Sequence, residues 1–375
     1  MWRERGSTAG DIAVMAPGNA ERARSDPGGA GLIRLVRAAV RGQAGVSMKA
    51  FDEETISWAI ETGLGPLLAR ATEHDPEAMT SPLRPLLEGA TLTARLLTAL
   101  HVDAMVEIID ACRGRVPPLV LLKGISMCEQ HYPEPHLRPM RDIDFLVDQG
   151  AVGEVESVLS GLGYRQLSDR PPAFYASHHH SSPFVHPDTG IWVEVHHALF
   201  AARSPFGSEG AFTAPNLTTQ LRSSEFSGRP VRRLSDELQV VYVACHWAHG
   251  LRAVGGMVAL ADMTYLLTNA PRVDWDRILG WADASVVARP LSVLLTYLDR
   301  HRLVDIDPEI LRRLRATPTS PRHLALRLAH LLVDRYVVDG EDFGSLMTER
   351  IFNRVWRLVV LRRGPDRQAA TTRRR

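Results

Sequence analysis

Residues 117–202 are patterned for short strands, inside a chain otherwise patterned for helices. On the N-terminal side, apolar residues recur at helical spacing: Leu32, Leu35, Val36 and Val40, then Ile56, Ala59, Ile60, Leu64, Leu67 and Leu68. Ser81-Pro82 opens a long helix to about Cys112. Its expected buried side carries Leu86, Leu87, Leu92, Leu96, Leu97, Leu100, Met105 and Ile108. A proline in the first turn is well placed, because its missing N–H had no partner there. Within the block, residues 118–122 and 142–147 read as strands and 152–162 as a helix. A third strand is expected at 164–167. A hairpin is expected from 184–186 and 191–196 around the turn Pro187-Asp188-Thr189-Gly190. After about Ala202 a loop leads to a helix starting at Ser235. Further helices are expected over 256–268, 274–285, 289–302, 308–316, 321–337 and 345–361.

This layout predicts an α+β fold. A small mixed β-sheet core at 116–202 lies between an N-terminal helical region at 30–115 and a C-terminal helical domain at 203–362. Residues 1–29, rich in Gly, Ala, Ser, Arg and Pro, read as a disordered lead, and 363–375 as a basic tail. Charged residues are 23% and apolar residues 45% of the chain, the balance of a globular protein with a core and not of a disordered or collagenous one. The net charge is +1, yet the last 15 residues hold six arginines and one aspartate. The body is therefore slightly acidic, which gives no strong nucleic-acid signal. The longest apolar runs are too short for a membrane span. Cys112, Cys128 and Cys245 are too scattered for a disulfide framework, and no signal peptide is evident. A cytoplasmic home is expected. Only Lys49 and Lys123 among 44 basic residues are lysines, which reads as the coding bias of a GC-rich, bacterial source.

The chemistry concentrates in Lys123-Gly124-Ile125-Ser126 and Arg138-Pro139-Met140-Arg141-Asp142-Ile143-Asp144. On a strand, Asp142 and Asp144 share one face while Ile143 and Phe145 enter the core. Two carboxylates this close repel, and each raises the other's pKa. A divalent cation removes that cost, and hard oxygen ligands suit Mg²⁺ or Mn²⁺. The D-x-D tripeptide alone is common on solvated strand faces; its neighbours give it weight. In Trp192-Val193-Glu194-Val195-His196 the valines point inward and Glu194 outward. If that strand lies beside the aspartate strand, Glu194 completes a three-carboxylate cluster able to hold two metals.

Leu121-Leu122-Lys123-Gly124, the segment from Tyr132-Pro133 through Leu137-Arg138-Pro139-Met140 to Asp142-Ile143-Asp144-Phe145-Leu146-Val147, and Val193-Glu194-Val195-His196 carry a resemblance. They resemble the uncharacterised nucleotidyltransferase family of bacterial biosynthetic loci, within the DNA polymerase β-like nucleotidyltransferase superfamily. The resemblance implies Mg²⁺-dependent transfer of a nucleoside monophosphate from an NTP, with release of pyrophosphate. Asp142, Asp144 and Glu194 would be the metal carboxylates, and Gly124 would let the backbone approach the triphosphate. The family's adjacent Gly-Ser is here Gly124-Ile125-Ser126. Either Ser126, displaced by one position, or Lys123-Gly124 grips the phosphates. Lys123 offers a point charge to phosphate, and Arg138 and Arg141 can clamp phosphates bidentately unless they serve as surface or ion-paired arginines. ATP is the default donor on abundance. The acceptor would be a hydroxyl on a small metabolite, peptide or protein.

The histidines give weaker signals. His178-His179-His180 with His186, then His196-His197, suggest zinc, but consecutive strand or loop histidines are expected to diverge and the run forms a poor ligand set. His196 shares a face with Glu194 and would orient that carboxylate or touch substrate. Two rivals remain: a non-catalytic nucleotide- or partner-binding member of the same fold, and a metal-dependent hydrolase using His246, His249 and Asp262.

Overall fold

The computed structural model describes residues 28–41, 46–167, 174–175, 177–251, 256–270, 272–283, 285–341, 343–344 and 347–361. Of the two expected tails, residues 1–27 and 363–375 lie outside these; Gly28 and Gly29 belong to the first helix.

The N-terminal helices are α1 (Gly28–Arg41), α2 (Glu53–Glu61), α3 (Gly65–Ala71), α4 (Pro76–Thr80) and α5 (Arg84–Cys112). Asp52 caps α2 by accepting from the Thr55 N–H, and Asp75 caps α4 through the Glu77 N–H. The buried stripe of α5 runs through Leu87, Ala94, Thr98, His101, Met105, Ile108 and Cys112. Leu86, Leu92, Leu96 and Leu97, expected inside, are exposed. The eight apolar positions named from the sequence spread over more than one helix face, and only the seam close to a seven-residue repeat meets the core.

Next come β1 (Val120–Leu121), α6 (Lys123–Gln130), β2 (Asp142–Leu146), α7 (Val152–Gly161), β3 (Arg165–Gln166), β4 (Phe184–Val185) and β5 (Trp192–His196). After α8 (Ala214–Thr219), β6 (Leu221–Phe226) and β7 (Arg229–Leu234) form a hairpin where a loop was expected. Its two-residue turn, Ser227-Gly228, has both residues at positive φ, as the tightest hairpins require. The sequence hid it because Arg222, Ser223, Arg229, Arg232 and Arg233 break the apolar alternation. The sheet is mixed, in the order β3-β4-β5-β2-β1-β7-β6. β2 is antiparallel to β1 and parallel to β5.

The C-terminal helices are α9 (Asp236–His249), α10 (Gly256–Asn269), α11 (Trp275–Ala282), α12 (Ala288–Arg300), α13 (Pro308–Ala316), α14 (His323–Val333) and α15 (Glu349–Trp356). They match the expected spans within a few residues, and Ser235 caps α9 as expected. None of the described helices is long and apolar enough to cross a membrane.

Two apolar clusters sandwich the sheet. Ile143, Phe145, Val193 and Val195 face one side, with residues of α5 and α7 such as Met105, Ile108, Val155 and Leu159. Leu146, Val120 and Leu122 face the other, in a larger core shared with α9 and the helices after it. Strand alternation therefore points Asp142, Asp144, Glu194 and His196 towards the C-terminal helical side.

Candidate active site

The site is built by register. In the parallel pair β2–β5, Asp144 is the direct partner of Glu194, Asp142 of Trp192, and Leu146 of His196. A one-residue slip would bury the polar set and expose Ile143, Phe145, Val193 and Val195, so the apolar core fixes the register. One ligand atom each of Asp144, Glu194 and His196 lie within 4.8 Å of one another. The sequence grouped Asp142 with Asp144 and Glu194. The tightest group instead contains His196, and Asp142 stands half-buried at its edge.

Lys123 reaches into this cluster. Its Nζ donates to Asp144 Oδ1 at 2.7 Å and lies 3.7 Å from Glu194 Oε2. Leu122 N–H bonds to the Asp144 carbonyl, which ties the β1 end to β2. The chain then turns with Lys123 itself at φ 46°, a left-handed conformation unusual for a lysine. That turn starts α6 at Lys123. His196 Nε2 lies 2.8 Å from Asp144 Oδ1 and 3.4 Å from Glu194 Oε2, so a proton on Nε2 holds both carboxylates.

These contacts split the two aspartates. Asp144 is almost wholly buried, which alone would raise its pKa. Lys123 and His196 outweigh that and hold it well below the carboxylate range. Asp142 lacks such contacts; the charge of Asp144 first and burial second push it up to about 7. Glu194 is lowered against its burial, chiefly by the His196 hydrogen bond. Burial opposes the charge on Lys123, but Asp144, Tyr242, Glu194 and Asp142 together raise it above its ordinary value.

Two residues of α9 face this cluster and were missed in the sequence as parts of it. Tyr242, its hydroxyl buried without a hydrogen-bond partner, is raised by burial, and Lys123 and all three carboxylates act on it. Burial pushes His246 down to about 3, with Lys123 and Asp144 among its electrostatic neighbours. Nearly every residue of α9 is buried, so no amphipathic stripe marks the face that meets the site. Trp192, 44% exposed beside Asp142, is a third such residue.

The phosphate-gripping set fares unevenly. Ser126 lies in α6, wholly buried; its carbonyl accepts from Arg233 and its hydroxyl contacts Gln130. These partners lie on α6 itself and on β7. Gly124 is required by packing: a Cβ there would meet Met140 Cγ at 2.7 Å. The left-handed turn falls on Lys123 and not on Gly124. Arg138 is not free for phosphate. Its Nε and Nη2 donate to the two oxygens of Asp262 at 2.7 and 2.9 Å, and Nη1 donates to the Pro139 carbonyl. Tyr132 also donates to Asp262, at 2.7 Å. Arg141, exposed just before β2, remains available.

The Arg138–Asp262 pair binds the segment before β2 to α10. Arg138→Ala would strand a buried carboxylate, and we expect a loss of about 3–5 kcal/mol in urea unfolding. An unchanged unfolding midpoint would show that this pair does not bind the two regions together. The same pair removes Asp262 from the hydrolase set. Among the described residues, His246, His249 and Asp262 do not form a metal-ligand group.

The histidine run is a correction in the other direction. His178, His179 and His180 each bring a ring nitrogen within 4.8 Å of the others. They converge because the chain bends before His180, which alone of the three forms a bridge, with His196. Burial pushes His178 down to about 4 and His179 to about 2.

The sequence model of the family described as "Uncharacterised nucleotidyltransferase" matches residues 50–302, about two thirds of the chain. The chain belongs to that family. The match takes in β1 to β7, so every strand of the sheet lies within the family's span. None of the curated proteins matches the chain. The crystal structure of an antigenic nucleotidyltransferase-like protein from Paracoccidioides brasiliensis is similar over 60% of this chain and 92% of its own, at 12% identity and a TM-score of 0.33. A likeness that loose carries no argument.

Proposed function

We propose that the protein transfers a nucleoside monophosphate from an NTP, with ATP as the default donor, to a hydroxyl on a small metabolite, peptide or protein. Membership of the family supports nucleotidyl transfer as the general chemistry. The observation that carries the finer reading is the register of β2 on β5, with Glu194 directly beside Asp144 and Asp142 on the same face. This is also the arrangement expected of the DNA polymerase β-like superfamily.

The donor set suits a hard divalent cation such as Mg²⁺ or Mn²⁺ held by Asp142, Asp144 and Glu194. Above about pH 7, where Asp142 is ionised, three carboxylates against one ammonium leave two negative charges, which one dication neutralises. This favours a single resident cation over the pair considered from sequence. Such an ion supplies charge neutralisation and Lewis acidity at the transferring phosphoryl group. His196 orients Asp144 and Glu194 through Nε2. Lys123 and the exposed Arg141 bring positive charge to the triphosphate. Asp142, on the same face as Asp144 and Glu194, could take the proton of the acceptor hydroxyl if the cation leaves one of its oxygens free. Trp192 offers a flat exposed surface for the nucleobase.

One observation favours a second reading, a non-catalytic nucleotide- or partner-binding member of the fold: Lys123 Nζ already neutralises Asp144 and Glu194. Labelled NTPs incubated with the full chain, Mg²⁺ and a panel of metabolites and proteins separate the two. Nucleotidyl transfer predicts pyrophosphate release and a nucleotidyl mass gain on an acceptor, both lost in Glu194→Gln. Tight nucleotide binding with no pyrophosphate from any NTP would contradict transfer and support the binding protein.

A further inference from the structure

The imidazoles of His178, His179 and His180 form a compact group beside the carboxylates. Their ring centroids lie 4.4 Å apart for His178–His179, 4.3 Å for His178–His180 and 4.8 Å for His179–His180. Three nitrogens no more than 4.8 Å apart surround a point within about 2.8 Å of each, and shifts of less than about 1 Å bring them to the 2.0–2.1 Å of a zinc–imidazole bond.

The hydrogen bonds leave lone pairs for such a bond. His180 Nδ1 donates to the Ser181 carbonyl at 2.7 Å, which puts its proton there and frees Nε2. A backbone carbonyl orienting a ring in this way is the usual outer support of a metal-bound histidine. Nδ1 of His178 and Nδ1 of His179 are both buried without a hydrogen-bond partner. Buried polar atoms rarely stay unpaired without a reason. The backbone is anchored as well: Ser181 N–H bonds to the Val195 carbonyl, and His197 N–H to the His179 carbonyl.

We propose that His178, His179 and His180 bind a borderline transition-metal dication, of which Zn²⁺ is the archetype, at a site separate from the three carboxylates. The chemistry of the two sites differs. Three imidazoles select zinc, cobalt or nickel, whereas carboxylates select magnesium or manganese. The two groups are neighbours: the His196 ring centroid is 5.2 Å from that of His179 and 5.4 Å from that of His180, and Glu194 acts electrostatically on His178 and His180. The metal would pin this segment to the end of β5. The proposal does not depend on the nucleotidyl-transfer reading.

The test uses untagged full-length protein, stripped with chelator and titrated with Co²⁺ in excess Mg²⁺. We expect about one equivalent of Co²⁺, with the intense visible absorption of low-coordinate cobalt, displaced by Zn²⁺. Affinity should fall at least about tenfold in His178→Ala and in His180→Gln and change by less than about threefold in Glu194→Gln, which loses a neighbouring charge but no ligand. Circular dichroism establishes that each variant is folded. Independently of any variant, Zn²⁺ should protect these histidines in the wild type from diethyl pyrocarbonate, read by mass spectrometry. Absence of both Co²⁺ binding and Zn²⁺ protection would overturn the proposal. Loss of binding in Glu194→Gln, alone or together with the histidine variants, would put the metal on the carboxylates and overturn it too.

Discussion

Asp144→Asn should lower stability by about 3–5 kcal/mol near neutral pH, and Asp142→Asn should raise it by about 1–3 kcal/mol without divalent cations. The two aspartates are separated by one residue, yet their surroundings oppose. Asp144 compensates the buried Lys123 ammonium and accepts from His196. Removing its charge strands that ammonium in a site where Glu194, 3.7 Å away, is the remaining close carboxylate. Asp142 carries charge that Asp144 and burial oppose. From the sequence alone, mutual repulsion suggests that either substitution would be neutral or slightly stabilising; the Lys123 contact reverses that for Asp144.

The pH dependence follows from the directions. Asp142 is raised from 3.8 to about 7, so the folded state holds its proton more tightly than the unfolded chain does. The stability gained by that protonation is fully present below about pH 4 and is lost as pH rises through about 7. The advantage of Asp142→Asn is therefore small in acid and largest above neutrality. Asp144 is depressed, so its contribution is present above the ordinary carboxylate pKa and disappears only in strong acid. Urea unfolding at about pH 5 and about pH 8 without divalent cations reads both effects. Shifts of the same sign in the two variants would contradict the assigned contacts.

Glu194→Gln should weaken divalent-cation affinity by about 10–100-fold and lower nucleotidyl transfer by about 10²–10³-fold, with little change in fold. Glutamine keeps the shape beside His196 and Lys123 but removes one of the three negative charges. Cation affinity of the wild type should also fall as pH drops below about 7, because Asp142 takes up a proton and ceases to be a good ligand. Mn²⁺ titration followed by electron paramagnetic resonance measures both. A Glu194→Gln protein that binds Mn²⁺ as tightly as wild type would remove Glu194 from the site.

The strand part of the site was legible because a strand has period two and its inward residues are plainly apolar. Ile143, Phe145, Val193 and Val195 leave Asp142, Asp144 and Glu194 one face to occupy, and the observed register is the one that keeps those four buried. Partnerships across long sequence separations were not legible. Arg138 meets Asp262 across 124 residues, and neither residue type announces a buried bidentate pair. The choice between Ser126 and Lys123-Gly124 stayed open in the sequence, because nothing there marks the start of the helix one residue before the glycine, with Lys123 taking the left-handed turn. The histidine run escaped because consecutive side chains were expected to diverge, and the bend that gathers them is not written in their residue types. The N-terminal half of α5 shows the limit of apolar spacing, since Leu92 and Leu96 match a helix yet stay exposed.

In the proposed reaction Asp142, Asp144 and Glu194 hold a dication that admits an NTP. Isothermal titration of a non-hydrolysable ATP analogue, with Mg²⁺ and with chelator at about pH 8, tests it most directly. The account predicts binding at least about tenfold tighter with Mg²⁺ than with chelator, and loss of that difference in Glu194→Gln. Equal affinity with and without Mg²⁺, unaltered by Glu194→Gln, would contradict it.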